Sequence, residues 1–252
     1  LYIGEKVGLG GTEVDIAVDP LEGTNLTAKN QPGAIAVMAV AEAGGLLHAP
    51  DMYMDKIIVG PRAKGAIDID KTVEENLRNV AAALGKDVSE MTVCLLDRER
   101  HEHIKQACKA LGARVKLITD GDVSPALTVA MDTGAIDMIL GIGGAPEGVL
   151  AAAAVKCLGG DMQGRLVPED DEQVRRMEAM GHSDVNQVYN LNDLVSTDDV
   201  MFIATGVTTG DVLRGIKEEN GRVKTHTVVL RNATKTVRFI EAAYQKPHVV
   251  NA

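Results

Sequence analysis

The sequence predicts an α/β protein whose main sheet is parallel or mostly parallel. Three observations carry that expectation. Between residues 92 and 158, short β-branched and leucine-rich runs alternate with segments of helical spacing, and a βαβαβα order calls for a sheet covered by helices. Apolar residues make up 45% of the chain while aromatics make up 2% and Trp is absent. The interior must therefore be filled by Val, Ile, Leu, Ala and Met, which suits buried strands under Ala-rich helices better than an aromatic-rich sandwich. Finally, 252 residues are enough for one large domain or two moderate ones.

Residues 1–7 read as a strand or strand end, Gly8-Leu9-Gly10-Gly11 as a turn and 14–18 as a strand, a combination that predicts a hairpin. A phosphate loop is the sharper reading of these glycines, and a weak one because no Lys-Ser/Thr pair follows them. Pro20 has no N–H to give to a ladder and is expected to stop the strand at Asp19. Residues 34–43 are almost continuously apolar and end at Gly44-Gly45, as a buried strand would. Residues 46–50 are expected to be extended, 51–55 a loop and 56–59 a strand. Val73, Leu77, Val80, Ala81 and Leu84 share a helical face over 73–84, with Thr72 as N-cap, Glu74 and Glu75 in the first turn and Gly85 past the end.

A lobe boundary is expected at Lys86-Asp87. Beyond it, strands over 92–96, 114–118 and 136–140 alternate with helices over 102–111, 124–131 and 146–158. A short helix is expected over 172–180 and a strand over 200–204. Strands over 225–231 and 236–240 should form a hairpin through 232–235. The expected division is 1–85, 86–205 and 206–252, the last carrying a C-terminal helix and the hairpin packed on the two lobes.

Charge and composition exclude several function classes. The 26 Lys and Arg stand against 36 Asp and Glu, a formal net charge of −10. An acidic, aromatic-poor chain is a poor partner for nucleic acid or an anionic membrane, and is compatible with divalent cations. Cys94, Cys108 and Cys157 are odd in number and form no CxxC, which reads as reduced thiols of a cytoplasmic protein. No apolar run approaches a membrane span.

The chemistry is expected at the strand ends, where ligands bind in open α/β sheets. In Asp19-Pro20-Leu21-Glu22-Gly23-Thr24, two carboxylates and a hydroxyl meet on a tight turn. Such hard oxygen ligands suit Mg²⁺ or Mn²⁺; the same residues also read as a turn bonded to its own amides. Tyr53 is either a ligand contact or packing. Arg98 and Arg100 offer forked donors matched to phosphate, or form a solvated charge run. In Thr119-Asp120-Gly121-Asp122 the paired carboxylates suit sugar hydroxyls, although local evidence favours Asp122 as a helix cap. Gly141-Ile142-Gly143-Gly144-Ala145-Pro146-Glu147 is not a GxGxxG fingerprint. Its glycines allow close backbone approach, and Glu147 either balances the helix dipole or binds metal.

The turn at Asp19-Pro20-Leu21-Glu22-Gly23-Thr24 resembles the Asp-Pro-Ile/Leu-Asp/Glu-Gly-Thr/Ser signature of metal-dependent, lithium-sensitive sugar and inositol phosphatases. Together with Asp51-Met52-Tyr53-Met54, Thr119–Asp122 and Gly141–Glu147, and with the stretches over 159–166 and 202–208, it is similar to class II fructose-1,6-bisphosphatase over essentially the whole chain. The resemblance implies a layered α-β-α-β-α sandwich of two lobes that hydrolyses the 1-phosphate of fructose 1,6-bisphosphate with Mn²⁺ or Mg²⁺. It implies that Asp19, Glu22 and Glu147 hold metal, and that Thr24 lies beside the attacking water with Glu22 at the reacting centre. Glu22, Gly23 and Thr24 would touch substrate, while Tyr53, Arg98, Arg100, Asp120, Gly121, Asp122 and Gly144 would hold the sugar and distal phosphate. Glu99 departs from the Pro found at that position in the family, so the flanking arginines carry the match.

The rival readings are sedoheptulose-1,7-bisphosphatase or dual activity, an inositol monophosphatase, and a non-catalytic metal- or sugar-phosphate-binding protein. The family comparison further implies a homo-oligomer. It also implies an acidic segment preceding Leu1, so that the chain alone is expected to be weak or inactive.

Overall fold

In the computed structural model, which describes residues 4–245, two six-stranded sheets are separated by a helical layer. The elements begin with β1 (Val14–Glu22), α1 (Thr24–Ala28), β2 (Ile35–Glu42), β3 (Tyr53–Val59) and α2 (Val73–Leu84). They continue with β4 (Thr92–Leu96), α3 (Glu102–Ala110), β5 (Arg114–Ile118), α4 (Val123–Ala130), β6 (Met138–Gly144) and α5 (Ala145–Leu158). Then come β7 (Asp161–Val167), α6 (Asp171–Ala179), β8 (Tyr189–Asn190) and α7 (Leu191–Leu194), and finally β9 (Val200–Gly206), β10 (Lys217–Glu219), β11 (Arg222–Arg231) and β12 (Thr236–Gln245).

The first sheet has the order β1-β2-β9-β11-β10, with β12 also on β11, and every pairing in it is antiparallel. The second has the order β5-β4-β6-β3-β7-β8. Only β4 with β5 and β6 is parallel there; β3 is antiparallel to β6 and β7. The expected parallel sheet is therefore confined to three strands. β6 and β7 run the same way, as a crossover through α5 requires, and β3 enters from outside the alternating run and slots between them.

α5 is the central helix. It packs on strands of both sheets, and Gly148 to Cys157 are buried all round it, the pattern of a helix with no solvent face. Its consecutive residues Ala151, Ala152, Ala153 and Ala154 keep it narrow, so both sheets close on it. On the far face of the second sheet, α2 and α3 enclose a second core with Ile57, Leu77, Val93, Ile104 and Leu140. α2 spans 73–84 as expected and opens with a capping box between Thr72 and Glu75. Four of the five expected layers are thus present among the described residues. The outer face of the first sheet carries exposed Val14, Ile16, Val18 and Met38.

Several expectations are corrected. Residues 1–3 of the first expected strand lie outside the described residues, and 4–7 form no strand. β1 pairs with β2 rather than with a preceding hairpin partner. Pro20 does not end β1. Asp19 faces Val37 and Glu22 faces Ile35, so the strand carries one extra residue, and a bulge is where a residue without an N–H is tolerated. Tyr53 opens β3 rather than sitting in a loop.

Among the described residues after 206 there is no helix; that segment is turn and hairpin, consistent with its β-branched run Thr225 to Leu230. The strands also cross the expected segment limits. β1 and β2 share a sheet with β9, whereas β3 lies at the heart of the other.

Candidate active site

The last turn of β1 delivers Glu22. The bulge at Pro20 precedes it, and Gly23 follows in the left-handed region at φ 84°. A Cβ at Gly23 would stand 2.9 Å from Leu26 Cδ1, so the turn into α1 needs glycine on two counts. Glu22 is only 2% exposed. Its Oε1 accepts the Val123 amide at 3.0 Å, and its Oε2 is buried with no hydrogen-bond partner. Burial first, then the neighbouring charges of Asp122, Asp19 and Asp120, push this carboxyl up to about 8, against the pull of the Val123 amide. Asp19 Oδ1 accepts the Leu21 amide at 3.0 Å, so the turn reading and the charged-site reading both hold for the same residues. Thr24 is exposed at the start of α1.

The second sheet supplies the facing wall. Asp120 Oδ2 accepts the Asn25 amide at 3.1 Å, joining this loop to the first turn of α1. Gly121 is left-handed at φ 71°, and a Cβ there would come within 3.0 Å of both Glu22 carboxylate oxygens. Asp122 occupies the N-cap position of α4 but makes no capping bond. The expected cap is corrected: its Oδ2 accepts from Lys56 Nζ at 2.5 Å. An ammonium outcompetes an exposed amide for a carboxylate in a half-buried place.

The same Lys56 donates to the Gly144 carbonyl at 3.0 Å. Gly144 caps α5, whose first turn carries Glu147. A Cβ at Gly144 would overlap Glu147 Oε2, and one at Gly143 would overlap Asp122 Oδ2. Burial is the main cause raising the Glu147 carboxyl, with Lys56 opposing it and Asp122 and Asp19 adding to it.

The arginines are fastened by backbone carbonyls. Arg98 reaches the Asp97 and Thr119 carbonyls, each at 2.9 Å. Arg100 reaches the Ile142 carbonyl at 2.9 Å and stands 4.5 Å above the Tyr53 ring. Between them and β6 lies His101, 1% exposed. Its Nε2 accepts the Ile142 amide at 2.8 Å, so the Nδ1 proton goes to the Leu96 carbonyl at 2.8 Å. Burial lowers its pKa, as a neutral ring in that tautomer requires.

Sequence reasoning placed His101 in a solvated charge run and Lys56 at a strand start. A lysine between apolar Met54 and Ile58 was the only signal available for the latter. A cavity of about 400 Å³ lined by Asp55, Lys71, Thr72, Glu74 and His103 contains none of the expected site residues.

Among the described residues, no three His, Cys, Asp or Glu side chains converge tightly enough to hold a metal ion. Asp19, Glu22 and Glu147 therefore share one field without forming a closed cage. The unpartnered Glu22 Oε2 nevertheless fits a cation. A buried carboxylate oxygen lacking a donor is a place where a divalent ion supplies the missing partner.

The family model described as "Bacterial fructose-1,6-bisphosphatase, glpX-encoded" matches residues 1–244. A fructose-1,6-bisphosphatase 1 class 2 of Escherichia coli (strain K12) is 46% identical over 258 residues, covering 97% of this chain and 76% of that protein. A D-fructose 1,6-bisphosphatase class 2/sedoheptulose 1,7-bisphosphatase of Synechococcus sp. (strain JA-3-3Ab) is 43% identical over 271 residues, covering 98% and 78%. A fructose-1,6-bisphosphatase class 2 of Haemophilus influenzae (strain ATCC 51907 / DSM 11121 / KW20 / Rd) is 43% identical over 258 residues, covering 97% and 77%. The strand-end motifs, the layered sheets and this identity along nearly the whole length agree: the chain belongs to the bacterial class 2 fructose-1,6-bisphosphatase family.

Proposed function

We propose that the chain hydrolyses the 1-phosphate of fructose 1,6-bisphosphate to fructose 6-phosphate and phosphate, with Mn²⁺ or Mg²⁺ as cofactor. The observation that carries this reading is Glu22: a buried carboxylate with one oxygen unpartnered, beside an exposed Thr24 hydroxyl and facing the Asp120–Asp122 loop. A phosphate monoester is a dianion, so attack by water is opposed by charge. Asp19, Glu22 and Glu147 would hold the divalent ions, which when bound neutralise the phosphoryl oxygens and acidify water.

The remaining roles belong to the chain. Thr24 orients the attacking water through its hydroxyl. Asp120 and Asp122 accept from sugar hydroxyls, and Gly23, Gly121 and Gly144 let the ligand approach backbone that any Cβ would block. Tyr53 lines the sugar site. Arg98 and Arg100, held in place by carbonyls, receive the distal phosphate.

We also place the protein in the cytoplasm and read it as a homo-oligomer. Three buried, unpaired cysteines support a reducing compartment. Among the described residues, no helix is long and apolar enough to cross a membrane.

Phosphate release by the metal-loaded chain tests the function. Fructose 1,6-bisphosphate should be cleaved only with a divalent ion present, Thr24→Ala should lose most of the rate, and inositol monophosphate should be a poor substrate because it lacks a second anion. Sedoheptulose 1,7-bisphosphate is the comparison that sets sugar preference. Phosphate release that needs no divalent ion, or inositol monophosphate cleaved as fast as fructose 1,6-bisphosphate, would overturn the proposal.

A further inference from the structure

We propose that Lys56 is a positioning residue for the sugar: it holds Asp122 and the start of α5 in the geometry that receives substrate. This rests on the reading of Asp122 and Gly144 as substrate contacts. β3 alternates, so Met54, Lys56 and Ile58 point the same way, and Met54 and Ile58 lie in the core cluster between the sheets. Lys56 thus occupies a position that the strand pattern assigns to an apolar side chain, and it is 2% exposed.

A buried ammonium is costly unless paired, and a buried pair is poor evidence of a stabilising role, since an apolar residue at such a site is often at least as stable. What the ammonium touches is more informative than its burial. Its Nζ bonds Asp122 Oδ2 at 2.5 Å and the Gly144 carbonyl at 3.0 Å. Those acceptors lie on two separate connections, β5 to α4 and β6 to α5, and β3 itself begins with Tyr53. One side chain therefore ties together three segments that carry expected substrate contacts.

The arrangement also leaves Asp122 half available. Lys56 engages Oδ2, and among the described residues no donor reaches Oδ1, although the residue stands where a helix cap would bond. Gly143 confirms how closely the contact is fitted: a Cβ there would lie 2.9 Å from Lys56 Nζ and overlap Asp122 Oδ2. Lys56 fixes the rotamer of Asp122 and leaves its second oxygen for a neutral hydroxyl.

The test is steady-state kinetics of the full chain with saturating Mn²⁺ on fructose 1,6-bisphosphate, using Lys56→Met, Asp122→Asn and the double variant. Lys56→Met should raise KM by about 10- to 100-fold and change kcat by less than about threefold, the size expected when a hydrogen bond from the sugar to a charged acceptor is lost. A merely structural role would lower kcat through loss of active protein and leave KM unmoved; that result overturns the proposal. The double variant leaves neither charge alone, so it remains informative where Lys56→Met folds poorly. Its KM should match that of Asp122→Asn within about threefold, and a multiplicative rise would overturn the coupling. If Asp122→Asn alone leaves KM unchanged, the substrate-site reading itself fails, and the proposal with it.

Discussion

The two walls of the site carry acids in opposite states. At the end of β1, Glu22 has one oxygen on a backbone amide, the other on nothing, and three like charges around it. Across from it Asp122, only a helix cap by its local sequence, is already neutralised by a buried lysine. Asp120 is likewise engaged by the Asn25 amide, and the outermost charges on that side are arginines clipped to carbonyls. The difference teaches which acid wants what. An uncompensated buried carboxylate demands an external cation, whereas a compensated one is free to accept from a neutral hydroxyl. The first sheet thus brings Asp19 and Glu22 to the candidate metal site, Glu147 of α5 meets them from the other side, and the strand ends of the second sheet build the candidate sugar and distal-phosphate wall.

Removing the demand should have the largest effect. Glu22→Gln keeps an acceptor for the Val123 amide but deletes the charge, and kcat for phosphate release should fall by about 10³-fold or more while the fold persists. Retention of full activity would erase the distinction between the walls.

The second test reads the same carboxyl through stability. Its folded pKa of about 8 lies above the ordinary value of 4.5, so between those values the folded state binds more protons than the unfolded chain. Stability is therefore full below about 4.5 and falls as pH rises through about 8, by up to about 1.4 kcal/mol per pH unit and about 5 kcal/mol in all. Thermal melts of metal-free protein should show Tm decreasing from pH 5 to pH 8. Glu22→Gln, or a saturating divalent ion, should flatten that slope.

On the compensated wall, Gly143→Ala forces a Cβ into Asp122 Oδ2. About 2 kcal/mol of stability should be lost, read as a lower Tm together with a higher KM. The smallest effect belongs to the rim. Arg98→Ala or Arg100→Ala each removes a charge-assisted contact worth about 1.5–2 kcal/mol, so KM should rise by about 10- to 30-fold with kcat nearly unchanged. An arginine variant that instead lowers kcat alone would move the distal phosphate elsewhere.

Much of this was legible in the residues where the cause is local. α2 occupies 73–84 because an apolar stripe, a capping Thr72 and a terminal Gly85 all act within a few residues, and β4 and β5 keep their expected limits for the same reason. The acidic turn, the arginine pair and the glycine run before Glu147 were visible as strand-end chemistry. Pro20 misled because a bulge, invisible without the partner strand β2, absorbs it. β3 was cut short because Tyr53 and Asp55 look like loop residues, and their alternation makes sense only between β6 and β7. The tautomer of His101 depends on an amide 41 residues away.

By itself the sequence determined the helix and strand formers, the acidic character, the inventory of carboxylates, arginines and glycines, and the family. These follow from periodicity, composition and motif, which act over short spans. Only the tertiary structure decided that β3 runs antiparallel between two parallel neighbours, that Glu22 is buried with an oxygen to spare, and that Asp122 answers to Lys56 rather than to its own helix. Burial and charge compensation are properties of residues brought together across the chain, 66 positions apart for Lys56 and Asp122, and no local pattern encodes them.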